Sequence, residues 1–96
     1  MLVLVTYDVV TKTAAGQKRL RKVAKTCENY GLRVQNSVFE CVVDATQFKQ
    51  LQLELQAIID VDLDSLRFYQ LGNNYKSKVK HIGAKETFNV EDTIIL

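Results

Sequence analysis

Apolar residues crowd the opening of the chain and then fall into two alternating rhythms. From Leu2 to Val10 the order Leu-Val-Leu-Val-Thr-Tyr-Asp-Val-Val is a short apolar run closed by the polar Thr11, Lys12 and Thr13. Its density of Leu, Val and Tyr predicts a central strand covered on both faces. A helical rhythm follows from about Ala14 to Tyr30, with Leu20, Val23, Ala24 and Cys27 on one side and Lys18, Arg21, Lys22 and Lys25 almost opposite. Arg19 flanks the basic stripe, Thr11 or Thr13 supplies the N-cap, and Gly31 stands where a glycine ends a helix.

Leu32 to Val43 reads as extended chain that Asn36 and Ser37 split into a hairpin. Beyond that turn Phe39, Cys41 and Val43 share one face, while Val38, Glu40 and Val42 share the other. Asp44 with Gln47 three residues on is a variant capping box, and it opens a helix striped by Phe48, Leu51, Leu55, Ile58 and Ile59. Leu53 lies off that stripe. Asp60, Asp62 and Asp64 alternate in the next loop, but Ser65 stands where a calcium loop needs glycine and Leu71 where it needs glutamate. Calcium is therefore rejected, and the acids are expected to keep the loop solvated. Ser65 to Leu71 predicts another strand ending at Gly72, Asn73 and Asn74.

From Lys76 the pattern has period two and predicts a short extended segment with Lys76, Lys78 and Lys80 on one side. Lysines so placed either guard an edge strand or touch phosphate. His81 has no acid or nucleophile near it in sequence and receives no catalytic role. Thr93 to Leu96 is a last apolar piece suited to docking on a neighbouring protomer.

The order of elements is strand, helix, strand, strand, helix, strand, then one or two short strands. It predicts an α+β, ferredoxin-like βαββαβ sandwich with both helices on one sheet face. The whole chain, residues 1–96, reads as one domain with a core to about residue 75 and an extension over about 76–96. The opposite sheet face must be solvated or paired, and Val38 and Val42 favour pairing into a two-fold dimer.

Composition narrows the class. At 96 residues, 47% hydrophobic and 25% charged, the chain has material for one core and no signature of disorder. No apolar run approaches a membrane span, and the first residues lack a basic leader and cleavage site, so a cytoplasmic location is expected. Cys27 and Cys41 lack CxxC spacing and read as buried free thiols. The net charge of +2 hides an asymmetry: seven of the thirteen Lys and Arg residues lie between Lys12 and Arg33, where Glu28 is the only acid. Such a segment suits either a polyanion partner or an ordinary solvated helix face.

Asp8 is the residue that calls for chemistry. In α/β arrangements ligand sites lie outside the carboxyl ends of strands, and Asp8 occupies such a position before the basic helix. By itself a strand-end Asp is most often a turn or capping residue. Magnesium, however, takes only one or two protein carboxylates and completes its shell with water and phosphate oxygens. A two-fold axis between two copies of Asp8 would supply the pair, and facing carboxylates repel unless a cation sits between them. An ion so held polarises a phosphodiester, and oxygen-only ligation selects magnesium or manganese over zinc.

The segments Leu2-Val-Leu-Val-Thr-Tyr-Asp8-Val, Lys18-Arg-Leu-Arg-Lys-Val-Ala-Lys25, Tyr30-Gly-Leu-Arg-Val-Gln-Asn-Ser-Val-Phe-Glu-Cys41 and Ser65-Leu-Arg-Phe-Tyr-Gln-Leu71, taken together, resemble the CRISPR-associated protein 2 family, and the resemblance extends to about Gly83. It implies a ferredoxin-like homodimer whose C-terminal strands pair with the partner's sheet. It also implies work in the adaptation, or spacer-acquisition, stage of CRISPR immunity beside the CRISPR-associated protein 1 integrase. Metal-dependent cleavage of double-stranded DNA or single-stranded RNA is implied as well, and so is the alternative of a non-catalytic DNA-binding scaffold. Asp8 matches the family's strand-end aspartate, the expected magnesium ligand and catalytic residue. Tyr7, Ser37 and Phe39 match site-supporting positions, and Arg19, Arg21 and Arg33 match basic positions on the nucleic-acid side. The stretch from Val9 to Gln17 carries only Lys12, so Lys18, Lys22 and Lys25 would have to supply phosphate grip that relatives place earlier.

Overall fold

A computed structural model describes residues 1–83. Its elements are β1 (Leu2–Asp8), α1 (Ala14–Glu28), β2 (Gly31–Gln35), β3 (Val38–Val42), α2 (Ala45–Ile58) and β4 (Ser65–Gly72). They form one sheet in the order β2-β3-β1-β4 with every neighbouring pair antiparallel, which is the ferredoxin-like arrangement the sequence predicts.

Period two decides which residues of the central strand enter the core. Val3, Val5 and Tyr7 are buried among Val23, Ala24 and Cys27 of α1, Phe39 and Cys41 of β3, and Phe48, Leu51 and Leu55 of α2. Leu4 and Thr6 take the other face. They line a cleft of about 520 Å³ there with Val34, Val38, Glu40 and residues 79–82. Among the described residues the expected cover on both faces is met by helices on one face only, because both helices pack on the same side. Leu2 is buried outside the main core cluster, where a bulge shifts the β1–β4 register.

Local chemistry sets the helix starts. Thr13 is the N-cap of α1, its hydroxyl accepting from the Gly16 N–H at 3.1 Å. Asp44 and Gln47 complete the predicted capping box, with Asp44 Oδ1 accepting from the Gln47 N–H at 2.7 Å and Gln47 Oε1 accepting from the Asp44 N–H at 3.0 Å. The Asn36-Ser37 turn is also found.

Three expectations need correction. First, β1 stops at Asp8 rather than Val10, since its β4 partner begins at Ser65 opposite Asp8. Second, α1 stops at Glu28 with Asn29 as C-cap, and Gly31 opens β2 instead of ending the helix. Gly31 is required by close approach: a Cβ there would lie 2.0 Å from the Glu40 oxygen and 2.7 Å from Cys41 Cα. Gly31→Ala is expected to cost about 1–3 kcal/mol by forcing β2 from β3, readable as a lowered urea midpoint at unchanged slope.

Third, residues 76–78 form a turn in place of the extended segment. Extended chain needs a neighbouring strand for its backbone groups. Here the Lys78 N–H donates to the Tyr75 oxygen at 2.9 Å and Lys78 Nζ to the Leu71 oxygen at 3.0 Å instead. The expected docking piece from Thr93 to Leu96 lies outside the described residues.

Candidate nucleic-acid and metal site

Asp8 ends the central strand on an exposed position, with the parity of Leu4 and Thr6. Its carboxylate thus belongs to the sheet face away from both helices. It has no hydrogen-bond or ion-pair partner among the described residues. Nor does any group of three or more His, Cys, Asp or Glu gather there or elsewhere among them to hold a metal. One exposed carboxylate per chain fits a hard, largely hydrated ion such as magnesium and does not fit zinc.

Of the expected supporting residues, Ser37 lies in the β2–β3 turn, while Tyr7 and Phe39 belong to the core. The Tyr7 N–H donates to the Ser37 oxygen at 3.1 Å, which brings the β2–β3 turn beside the residue preceding Asp8. The Tyr7 side chain turns inward, its hydroxyl donating to the Asn36 oxygen at 3.2 Å and its ring stacked on Phe39 at 6.2 Å. Burial raises the Tyr7 pKa, although the Arg33 charge opposes this. Phe39 is fully buried in the core. Tyr7 and Phe39 therefore pack together beneath the end of β1.

The basic residues also separate. Lys18, Arg21, Lys22 and Lys25 are exposed along α1, which packs on the helical side of the sheet. Arg33 lies exposed on β2 with its guanidinium 5.2 Å from the centre of the Phe39 ring and 4.0 Å from Glu28. Arg19 is engaged internally: its Nε donates to Asp64 Oδ2 at 2.8 Å and its Nη2 to Asp64 Oδ1 at 3.5 Å. Asp8 and the α1 stripe accordingly lie on opposite sides of the sheet.

Asp64 is the residue that sequence reasoning missed. Expected as a solvated loop acid, it has a fully buried side chain whose oxygens also accept from the Val10 N–H at 3.0 Å and the Asp60 N–H at 2.9 Å. The signal available was its place directly before a strand, where an Asp can satisfy loop N–H groups. Burial pushes its pKa up most, but the Arg19 hydrogen bond, the Asp60 and Val10 N–H groups and the Arg19 charge together bring it below the ordinary carboxylate value. A carboxyl with its folded pKa lowered stabilises the fold above its unfolded pKa and loses that contribution as pH falls through the folded value. The parent should therefore lose stability below about pH 4 more steeply than Asp64→Asn, as urea midpoints across that range will show.

The two core thiols are quiet at neutral pH. Burial pushes the Cys27 and Cys41 thiols up to about 12, so both stay protonated free thiols as expected. Glu40, half-buried on the open sheet face, has its pKa raised by desolvation. Among the described residues no helix is long and apolar enough to cross a membrane.

Comparison with known proteins places this geometry in a family. A model described as CRISPR associated protein Cas2 matches residues 1–79. The chain is 65% identical over 95 residues to the CRISPR-associated endonuclease Cas2 of Halalkalibacterium halodurans, covering 99% of each. It is 59% identical to the CRISPR-associated endoribonuclease Cas2 of Chlorobaculum tepidum over the full length of both. A crystal structure of Streptococcus pyogenes Cas2 superposes with a TM-score of 0.76 at 57% identity, covering 86% of this chain and all of that one.

Proposed function

Because this chain belongs to the CRISPR-associated protein Cas2 family, we propose that it acts as a homodimeric, metal-dependent endonuclease on double-stranded DNA in spacer acquisition. The observation that carries this reading is Asp8, an exposed carboxylate without a partner among the described residues, at the end of the central strand on the sheet face that the helices leave open. Two chains meeting across that face would set two Asp8 carboxylates against each other. Those carboxylates would hold a magnesium or manganese ion, which when bound would supply Lewis acidity toward the phosphodiester. The chain's own part is to hold two hard oxygen donors in place and to keep cations near the polyanion.

Purified protein stripped with a chelator and then given magnesium or manganese tests this on plasmid DNA and on single-stranded RNA. Cleavage that returns with the metal supports the reading. Cutting that persists in chelator overturns it. The relatives are named for both endonuclease and endoribonuclease activity, and the RNA arm decides between the two polymers.

A second reading has its own support. Since the α1 stripe lies on the side of the sheet away from Asp8, the basic helices can grip duplex DNA without delivering it to a carboxylate. That suits a scaffold that bridges subunits of the CRISPR-associated protein 1 integrase. Either way the stripe meets phosphate. Reversing Lys18, Arg21, Lys22 and Lys25 to glutamate should weaken DNA binding by about 100-fold or more at low salt and flatten the salt dependence, as measured by fluorescence anisotropy. Unchanged affinity in a persisting dimer would make the stripe a solvated face.

A further inference from the structure

The bonds around Asp64 meet at the one place where the position of Asp8 is decided. Asp8 pairs with Ser65 on the last rung of the β1–β4 ladder. Two backbone segments leave that rung: the chain after Asp8, and the chain before Ser65. The Asp64 carboxylate ties them together, because it belongs to the second segment and accepts from the Val10 N–H of the first at 3.0 Å. Arg19 and the Asp60 N–H fix the same carboxylate from the other side at 2.8 and 2.9 Å. The first turn of α1 closes the arrangement, since a Cβ on Gly16 would lie 2.0 Å from the Val10 oxygen.

A neutral acceptor would be enough to close a loop. An ion pair with its carboxylate enclosed and its guanidinium partly exposed is a costly way to do it, for desolvation of Asp64 offsets part of the attraction. What the pair adds is geometric definition through charge-assisted hydrogen bonds from two directions. Asp8 has need of that definition, as no side chain among the described residues holds its carboxylate. Its placement depends on its backbone alone, and a ligand shifted by about 1 Å loses much of its effect.

We propose that Asp64, held by Arg19, is a positioning residue for Asp8: the pair locks the end of β1 so that the Asp8 carboxylate is presented to a divalent ion at a set place on the open sheet face. This rests on the reading of Asp8 as the metal ligand. It assigns Arg19 to the same task, distinct from the phosphate contacts of Lys18, Arg21, Lys22 and Lys25.

The test uses the full-length protein with Mn2+ as probe. Bound Mn2+ is followed by electron paramagnetic resonance, and the Val10 amide by hydrogen exchange. In Asp64→Asn, Mn2+ affinity should fall about tenfold while Val10 exchange quickens and metal-free DNA binding stays as in the parent. Arg19→Ala should behave alike, and Arg19→Lys should regain most of the Mn2+ affinity. Tyr30→Phe, which removes the hydrogen bond from the α1–β2 turn to Glu54 of α2, serves as a control and should leave Mn2+ affinity unchanged.

Unaltered Mn2+ affinity in Asp64→Asn with the Val10 amide freed would overturn the proposal and leave the pair as a staple of the fold. So would an Arg19→Ala protein that loses DNA affinity but keeps its Mn2+. If Asp64→Asn fails to fold, the two Arg19 variants decide the matter. Full Mn2+ affinity in Asp8→Asn would overturn the metal assignment itself, a failure visible before any variant of the pair is compared.

Discussion

Asp8→Asn is expected, under the proposed function, to lower metal-dependent cleavage by about 100-fold or more, equivalent to about 2.7 kcal/mol of barrier, while the fold persists. Asparagine keeps the shape of the side chain and one neutral oxygen but removes the charge that draws a divalent ion. Because Asp8 is exposed and without a partner among the described residues, little stability rides on the exchange. Cleavage and denaturation measured on one preparation separate the effects. Parental cutting by the variant would remove Asp8 from the chemistry and leave the scaffold reading standing.

Phe39→Ala should cost about 3–5 kcal/mol of stability, the largest expected loss from one side chain here. Phe39 is fully buried, stacked on Tyr7 at 6.2 Å and covered on one side by the Arg33 guanidinium at 5.2 Å. Removing it opens a cavity under the central strand and frees both neighbours. Against a total stability of about 5–15 kcal/mol, a loss of that size leaves the domain marginal. Phe39→Leu should cost much less in a urea titration. If the two variants were equally stable, Phe39 would not be a core residue.

The two experiments read opposite faces of one strand. Tyr7 faces inward to Phe39 while Asp8, one residue on, faces the open side, so the last two residues of β1 serve packing and, under the proposed function, chemistry separately. A one-residue slip in register would exchange these roles, with a valine-rich face turned to solvent. The register is therefore as much part of the site as the carboxylate, and the Arg19–Asp64 pair sits where the register ends.

Much of this was legible along the chain because it depends on neighbours in sequence. The period of two in Val3, Val5 and Tyr7, the stripe of Phe48, Leu51 and Leu55, the Asp44–Gln47 box and the Asn36-Ser37 turn are local patterns that local backbone geometry enforces. Asp8 stood out because an ionisable group closing an apolar strand is costly unless it is exposed or used. Arg19 and Asp64 were each visible as charges, but 45 residues separate them. Nothing in either neighbourhood distinguishes an ion pair from a basic flank and a loop acid. Gly31 was read as a helix stop because its constraint, the Glu40 backbone across the hairpin, is not local.

The order of polar and apolar residues thus determined the elements, their faces and the one carboxylate worth testing, since each follows from helix or strand periodicity within a few residues. Tertiary packing decided which side of the sheet the helices took, and with it that Asp8 and the basic stripe lie apart. It also decided that Arg19 turns inward to Asp64. Those outcomes depend on contacts between segments far apart in the chain, where burial and charge pairing become defined only once the sheet has closed.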